Sequence, residues 1–276
     1  MLRSCSRSGA RRAGRLAAWG VALAAVALAC GTLSVQQERQ LGDEFEREAR
    51  RSFTFLRDRV VRGYVRQIGD AIVLASAPHP FEYSFEVIED EEINAFAGPG
   101  GHIYVHTGTI LKARNVSELA GVIAHEVGHV ARRHIAENYN RQRTTGIAHQ
   151  AAVLATSLLA GGNAAGAVNL LGGLAGMAYL NTFTREAEAE ADQFAIEVLP
   201  KVHYDPNGMV SFFETLKAEG DVNIPGFLRS HPTTDDRIAA VQAAIHAERL
   251  PENLRVHDRG RLEIIQRRIR ILIGEE

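Results

Sequence analysis

His125-Glu126-Val127-Gly128-His129 sets two histidines four residues apart, with a glutamate beside the first. On a helix, positions i and i+4 lie on one face, one turn apart. His125 and His129 can then offer two imidazole nitrogens to one metal ion. Glu126 can reach a water held at that ion. Zinc lowers the pKa of such a water and an adjacent carboxylate takes its proton, so the pattern points to metal-assisted hydrolysis. The motif fixes only three residue types, so a third ligand has to come from elsewhere in the chain.

The flanking residues suit a helix. Ser117 is placed to act as N-cap, and Glu118 falls in the first turn, where negative charge is favoured. Leu119, Val122, Ile123, Val127 and Val130 form an apolar stripe. Gly128 is a poor helix former, and its place between the histidines implies that another element packs closely there.

Further on, Thr184 to Asp192 reads as a helical run with Glu186, Glu188 and Glu190 at alternate positions. Glu188 and Asp192 are i and i+4, hence on one face. Glu188 can bind the metal while Asp192 accepts a hydrogen bond from the outer nitrogen of a ligand histidine. Such a carboxylate fixes the tautomer and ring direction. Glu186 and Glu190 point elsewhere and read as solvated.

The rest of the chain must position these groups. With 276 residues, 46% hydrophobic and 23% charged, it suits one globular domain and a targeting segment. The net charge of −2 gives no reason to expect nucleic acid. Cys5 and Cys30 both lie outside the body of the chain, which excludes a disulfide framework and a cysteine zinc cluster.

Residues 1–30 read as an export signal. Arg3, Arg7, Arg11, Arg12 and Arg15 form a basic start, and Leu16 to Ala29 an apolar stretch too short for a membrane span. Val26-Ala27-Leu28-Ala29-Cys30-Gly31 resembles a bacterial lipobox, with Ala27 where leucine is usual. The resemblance implies cleavage before Cys30 and lipidation of that cysteine. Gly31 is not the aspartate that favours inner-membrane retention, so the outer membrane is the expected destination. An ordinary signal peptide and a short anchor stay open as alternatives.

Val35 to Ser76 is expected to be helical, with one segment over Gln36 to Arg51 and a second over Phe53 to Leu74. In the second, Phe55, Val60, Val61, Tyr64, Ile68 and Ile72 mark the inner face. Phe81 to Ile88 reads as a strand. Gly98, Gly100 and Gly101 around Pro99 make a tight turn, and His102 to His106 a second strand with Ile103 and Val105 on one face. That strand could form a sheet edge able to pair with an extended peptide, or an ordinary packed hairpin. The Ala, Gly and Leu-rich stretch Thr144 to Leu180 reads as buried or half-buried helices, with a membrane-facing or mobile lid as the alternative.

Ile93-Asn-Ala-Phe-Ala with Pro99-Gly-Gly, the helix Glu118 to His129, and Arg185-x-x-Glu188-x-Glu-Ala-Asp192 occur here in the order of one family. The chain resembles the zinc metallopeptidases of HtpX and the CAAX prenyl endopeptidases, and within them the soluble periplasmic lipoprotein branch, over roughly Val35 to Ile245. The resemblance implies a gluzincin-like, mainly α, α+β fold with a small β-sheet beside the active-site helix. It also implies ligands at His125, His129 and Glu188, a general base at Glu126 and a supporting role for Asp192.

A later segment matches as well: Tyr204-Asp-Pro-Asn-Gly-Met-Val, then Ser230-His231-Pro232-Thr-Thr-Asp-Asp-Arg237. In some periplasmic relatives the histidine of this element approaches the metal, as a fourth ligand that shuts the site or as a partner of the transition state. His231 is the candidate for either role. The same residues also suit a helix start, with Thr234 as cap and Asp235 and Asp236 in the first turn.

The expected organisation is a signal segment over 1–30 and a peptidase domain over 31–276, including a C-terminal helical extension from about 250. No helical docking repeat of the kind some relatives carry is visible, and the last feature is an Arg-rich amphipathic helix, Leu262 to Ile273. The expected function is a zinc metalloendopeptidase with one Zn²⁺ per subunit, lipid-anchored in the periplasm and acting on unfolded or misassembled envelope proteins. Two rivals stay open. One is a latent zinc-binding chaperone or assembly factor held closed by His231; the other is a lipoprotein whose zinc only stabilises the fold.

Overall fold

A computed structural model describes residues 32–142, 183–219 and 226–274. The expected export signal with Cys30 and the 144–180 stretch lie outside the described residues. The body begins with helix α1 (Val35–Ser52), whose first turn is closed by a capping box between Ser34 and Gln37. Helix α2 (Arg59–Ala75) follows, with Asp58 accepting from the Val60 and Val61 amides.

The expected second helix thus starts later than its apolar pattern suggested. Residues 53–58 run beside the sheet instead. Phe55 bridges Ile88, and the Leu56 amide donates to the Val87 carbonyl. Val60, expected on the inner face, is half exposed at the first turn, while Val61, Tyr64, Ile68 and Ile72 are buried.

Three strands form one mixed sheet: β1 (Ser84–Ile88), β2 (Ala95–Gly98) and β3 (His102–His106), in the order β1-β3-β2. β3 pairs parallel to β1 and antiparallel to β2. Of the two readings open for His102–His106, the sheet edge is excluded and the packed hairpin with β2 holds: β3 is the central strand, and the edges are β1 and β2. The four residues Ala-Phe-Ala-Gly are all buried and carry no apolar–polar alternation, so β2 went unseen in the sequence. Gly101, at φ 106°, closes the turn between β2 and β3; a Cβ there would meet the Glu82 carbonyl at 2.4 Å.

The sheet is buried on both faces. Ile103 and Val105 face the main core with α2, while Tyr104 joins Phe45 of α1 and Phe96 of β2 in a separate aromatic cluster. A short helix α3 (Thr107–Lys112) leads to α4 (Val116–Ala131). Asn115, not Ser117, caps α4, accepting from the Glu118 amide. The Ser117 hydroxyl is inside the helix and donates to the distant Arg255 carbonyl.

α4 is buried almost throughout and packs against α2, β2, α5 (Arg185–Val198) and α6 (Asn207–Glu219). A short α7 (Gly226–Ser230) and α8 (Asp235–Ala247) follow, the latter capped by Thr234. The last helix, α9 (Arg261–Ile273), buries Leu262, Ile265 and Ile269 against α2 and α3. The architecture is α+β and mainly α. Among the described residues no helix is long and apolar enough to cross a membrane.

Candidate metal centre

Gly128 lets α5 approach α4. A Cβ at that position would lie 3.1 Å from the Cα and carbonyl oxygen of Ala191. The close crossing brings Glu188, one turn before Asp192, up to the histidine face of α4. His125 Nε2 and His129 Nε2 stand 3.0 Å apart, and the Glu188 oxygens lie 3.4 Å from each. His231, just beyond α7, adds Nδ1 at 2.9 Å from Glu188 Oε1 and 3.2 Å from His125 Nε2.

These four donors fit a metal. One ligand atom from each of His125, His129, Glu188 and His231 lies within 4.8 Å of the others, and all four residues are buried. Ligands about 2.0–2.1 Å from zinc in a tetrahedron stand about 3.3–3.4 Å from one another. The contacts here are close to that edge length. Imidazole nitrogens facing each other at 3.0 Å do not otherwise make a stable buried arrangement unless a proton or a cation lies between them.

The groups behind the donors hold them in place. Asp192 Oδ1 lies 2.9 Å from His125 Nδ1. Arg237 of α8 clasps Asp192 through Nε and Nη2 at 2.7 and 2.8 Å, and its Nη1 lies 2.7 Å from Glu188 Oε2. The Phe213 ring faces the same guanidinium at 4.9 Å. Phe183 stacks on His129 at 3.8 Å between ring centres, and Phe227 on His231 at 4.6 Å.

Charge and burial oppose each other here. Burial alone would push the Glu188 carboxyl up, but His231, His125 and His129 reverse this and hold it far below the usual carboxylate range. Asp192 behaves alike: burial raises it, while Arg237 and His125 prevail and lower it. Burial disfavours the charged form of His125, yet Asp192 and Glu188 outweigh it and move its pKa up to about 9. His129 is driven well below its ordinary value by burial, against the pull of Glu188.

Glu126 points into the same pocket from α4 and is fully buried. Neither of its oxygens has a full hydrogen-bond partner among the described residues. His231 Nε2 lies 3.4 Å from Oε1. Burial raises the carboxyl, with His231 and His125 opposing and the Ala97 amide of β2 adding a weak counter-pull. An unpartnered buried carboxylate beside a donor cluster is placed to take and return a proton.

Every residue singled out in the body of the chain for this site lies in the cluster: His125, Glu126, His129, Glu188, Asp192 and His231. Glu186 and Glu190 are exposed on the same helix. Two members went unseen in the sequence. Arg237 was visible only as the end of the His-Pro segment, with nothing to show that it reaches Asp192. His134, whose Nδ1 lies 3.0 Å from His129 Nδ1, follows the motif by a spacing that no regular helix brings together.

Residues 61–245 match peptidase family M48. The chain belongs to this family, and the matched residues include all four donors of the cluster. It is 35% identical over 218 residues to the putative beta-barrel assembly-enhancing protease of Vibrio cholerae, covering 76% of this chain and 44% of that protein. It is 34% identical over 212 residues to the beta-barrel assembly-enhancing protease of Escherichia coli, covering 75% and 44%. It is 30% identical over 191 residues to the mitochondrial metalloendopeptidase OMA1 of Schizosaccharomyces pombe, covering 68% and 53%. The chain thus spans less than half the length of the first two relatives.

Proposed function

We propose that this chain is a zinc-dependent endopeptidase acting on unfolded or misassembled proteins of the cell envelope. The observation that carries the reading is the buried donor group of His125, His129 and Glu188 with the unpartnered Glu126 beside it. His125, His129 and Glu188 would hold the ion, two imidazoles and a carboxylate being the donor set of hydrolytic zinc sites that keep a position open. A zinc ion there lowers the pKa of water and polarises the scissile carbonyl. Glu126 takes the proton of the attacking water and returns it to the leaving amine. Asp192 fixes the outer nitrogen of His125, and Arg237 keeps both carboxylates charged and in register.

The strand suited to hold an extended substrate is β2, the edge whose Ala97 amide faces Glu126. The substrate class is supported by the relatives named beta-barrel assembly-enhancing proteases. Residues 1–30 would export the chain to the periplasm, and Cys30 would carry lipid that anchors it, at the outer membrane rather than the inner. Metabolic labelling with a fatty acid tests this against a Cys30→Ser variant; an unlabelled parent removes the anchor.

His231 favours a second, latent reading of the same site. Its Nδ1 completes a four-donor set, and four protein ligands leave no position for the attacking water. In that state the chain binds zinc without cleaving and acts as an assembly factor.

The deciding experiment compares the parent and Glu126→Gln on an unfolded protein such as casein, with zinc removed by chelator and restored. The expected result is zinc-dependent cleavage by the parent, and none by Glu126→Gln despite full zinc content. Equal cleavage by the two would remove Glu126 as the base. A parent inert in every zinc state, with His231 intact or replaced, would leave only the non-proteolytic readings.

A further inference from the structure

We propose that His134 is the positioning residue for His129, accepting the proton of its outer ring nitrogen, and that the turn at Arg133 serves to bring it there. The inference rests on the metal reading above.

The local backbone is unusual. In an unbroken helix, a side chain five residues on points about 140° away from its predecessor. α4 instead ends at Ala131, Arg132 caps it, and Arg133 takes a left-handed conformation at φ 60°. A residue with a side chain is uncommon in that region and bears a steric cost there. Here Glu38 of α1, fully buried, binds Arg133 Nε and Nη2 at 2.9 Å each. The sharp turn swings His134 back under His129. The two rings meet edge to face at 5.0 Å, with Nδ1 against Nδ1 at 3.0 Å.

The proton placement then follows from valence. His129 turns Nε2 toward His125 and Glu188, so its proton sits on Nδ1 when Nε2 binds a metal. A bond between two Nδ1 atoms needs one donor and one acceptor. His134 Nδ1 is therefore bare, and its own proton is on Nε2, which faces Glu190 Oε2 at 3.4 Å. Glu190 thus orients a ring rather than standing free in solvent. His125 has a carboxylate behind it and His129 has a neutral imidazole. The two ligands would differ in basicity, His129 being the weaker donor.

The test measures zinc affinity of the full chain by competition with a chromogenic chelator, with thermal unfolding of the metal-free protein as a check on folding. His134→Leu keeps the bulk and removes the acceptor; His134→Gln restores a carbonyl oxygen. His134→Leu is expected to bind zinc about 10–100-fold more weakly, His134→Gln close to the parent, and Glu190→Ala in between. Parent-like affinity in His134→Leu overturns the proposal. So does a His134→Gln as weak as His134→Leu, which would mean packing alone. Nitrogen NMR of the parent reads the tautomer without any variant, and a proton on His134 Nδ1 also overturns it. Failure of the metal reading is separate, since then the parent would bind zinc no better than His125→Ala.

Discussion

Gly128 and Ala191 meet backbone to backbone where α4 crosses α5, and a methyl group there would sit tighter than ordinary van der Waals contact. A Cβ at Gly128 would lie 3.1 Å from Ala191 Cα and 3.2 Å from Phe194 Cδ1. Gly128→Ala gains about 1 kcal/mol of helix propensity. Against this stands overpacking of about 1–3 kcal/mol, and the nearest atoms belong to a helix backbone that cannot swing aside. The expected outcome is a net loss of roughly 0–2 kcal/mol with weaker zinc binding, because the helices carrying His125, His129 and Glu188 are forced apart. Calorimetry with and without zinc checks both. A variant as stable and as tight as the parent would show that the crossing can relax.

The carboxylate network predicts a ranking. Arg237 holds Asp192 with two nitrogens and Glu188 with a third, and only a guanidinium has that fork. Arg237→Ala leaves two buried carboxylates with less compensation, a change that costs about 3–5 kcal/mol at buried pairs. Arg237→Lys should fall between it and the parent, since one ammonium cannot bridge both. Glu188→Ala should lower zinc occupancy far more than Glu186→Ala, whose side chain lies on the exposed face. Equal zinc content in Glu188→Ala and Glu186→Ala would remove Glu188 from the ligand set.

What the sequence showed and hid has a physical pattern. His125, His129, Glu188 and Asp192 were legible because helical spacing alone puts each pair on one face. The demand for a close neighbour at Gly128 was legible for the same reason. Strand order was not: β3 lies at the centre because β1 joins it in parallel from the far side, a pairing with no local signal. Ser117 read as a cap because its hydroxyl suits that role, but its partner is the Arg255 carbonyl, far along the chain. Arg237 and His134 depend on a packed helix and on one left-handed residue, and neither follows from periodicity.

His106 predicts a pH effect away from the metal. It is 2% exposed, and neither ring nitrogen has a hydrogen-bond partner among the described residues. Burial lowers its pKa, with Asp90, 3.9 Å away, and Glu92 pulling the other way. An unfolded histidine titrates near about 6.5. Because the folded value is the lower one, the unfolded chain gains a proton first as pH falls below that point, and stability drops. Phe53 and Phe96 already flank the ring, so His106→Phe keeps the packing. Unfolding midpoints at pH 7.5 and 5.5, taken with chelator present, should fall less in His106→Phe than in the parent. Equal falls would show that His106 is solvated in the folded state.

The last prediction turns on the two nitrogens of His231. Nδ1 faces Glu188 and His125, while Nε2 lies 3.4 Å from Glu126. If Nδ1 is a fourth ligand, the ring both fills the open position and occupies the base with its outer proton. His231→Ala then raises basal cleavage, including self-cleavage, and lowers zinc affinity. If the ring instead swings to donate to the developing oxyanion, the same change cuts kcat by roughly 10²–10³. Unchanged cleavage with a lower unfolding midpoint would assign His231 to the helix start, where Thr234 caps and Asp235 and Asp236 follow. The contacts favour the first outcome, because Nδ1 already lies at ligand-to-ligand distance from two donors. We therefore expect His231→Ala to cleave casein faster than the parent at saturating zinc. A slower variant with undiminished zinc affinity would exclude His231 as a ligand.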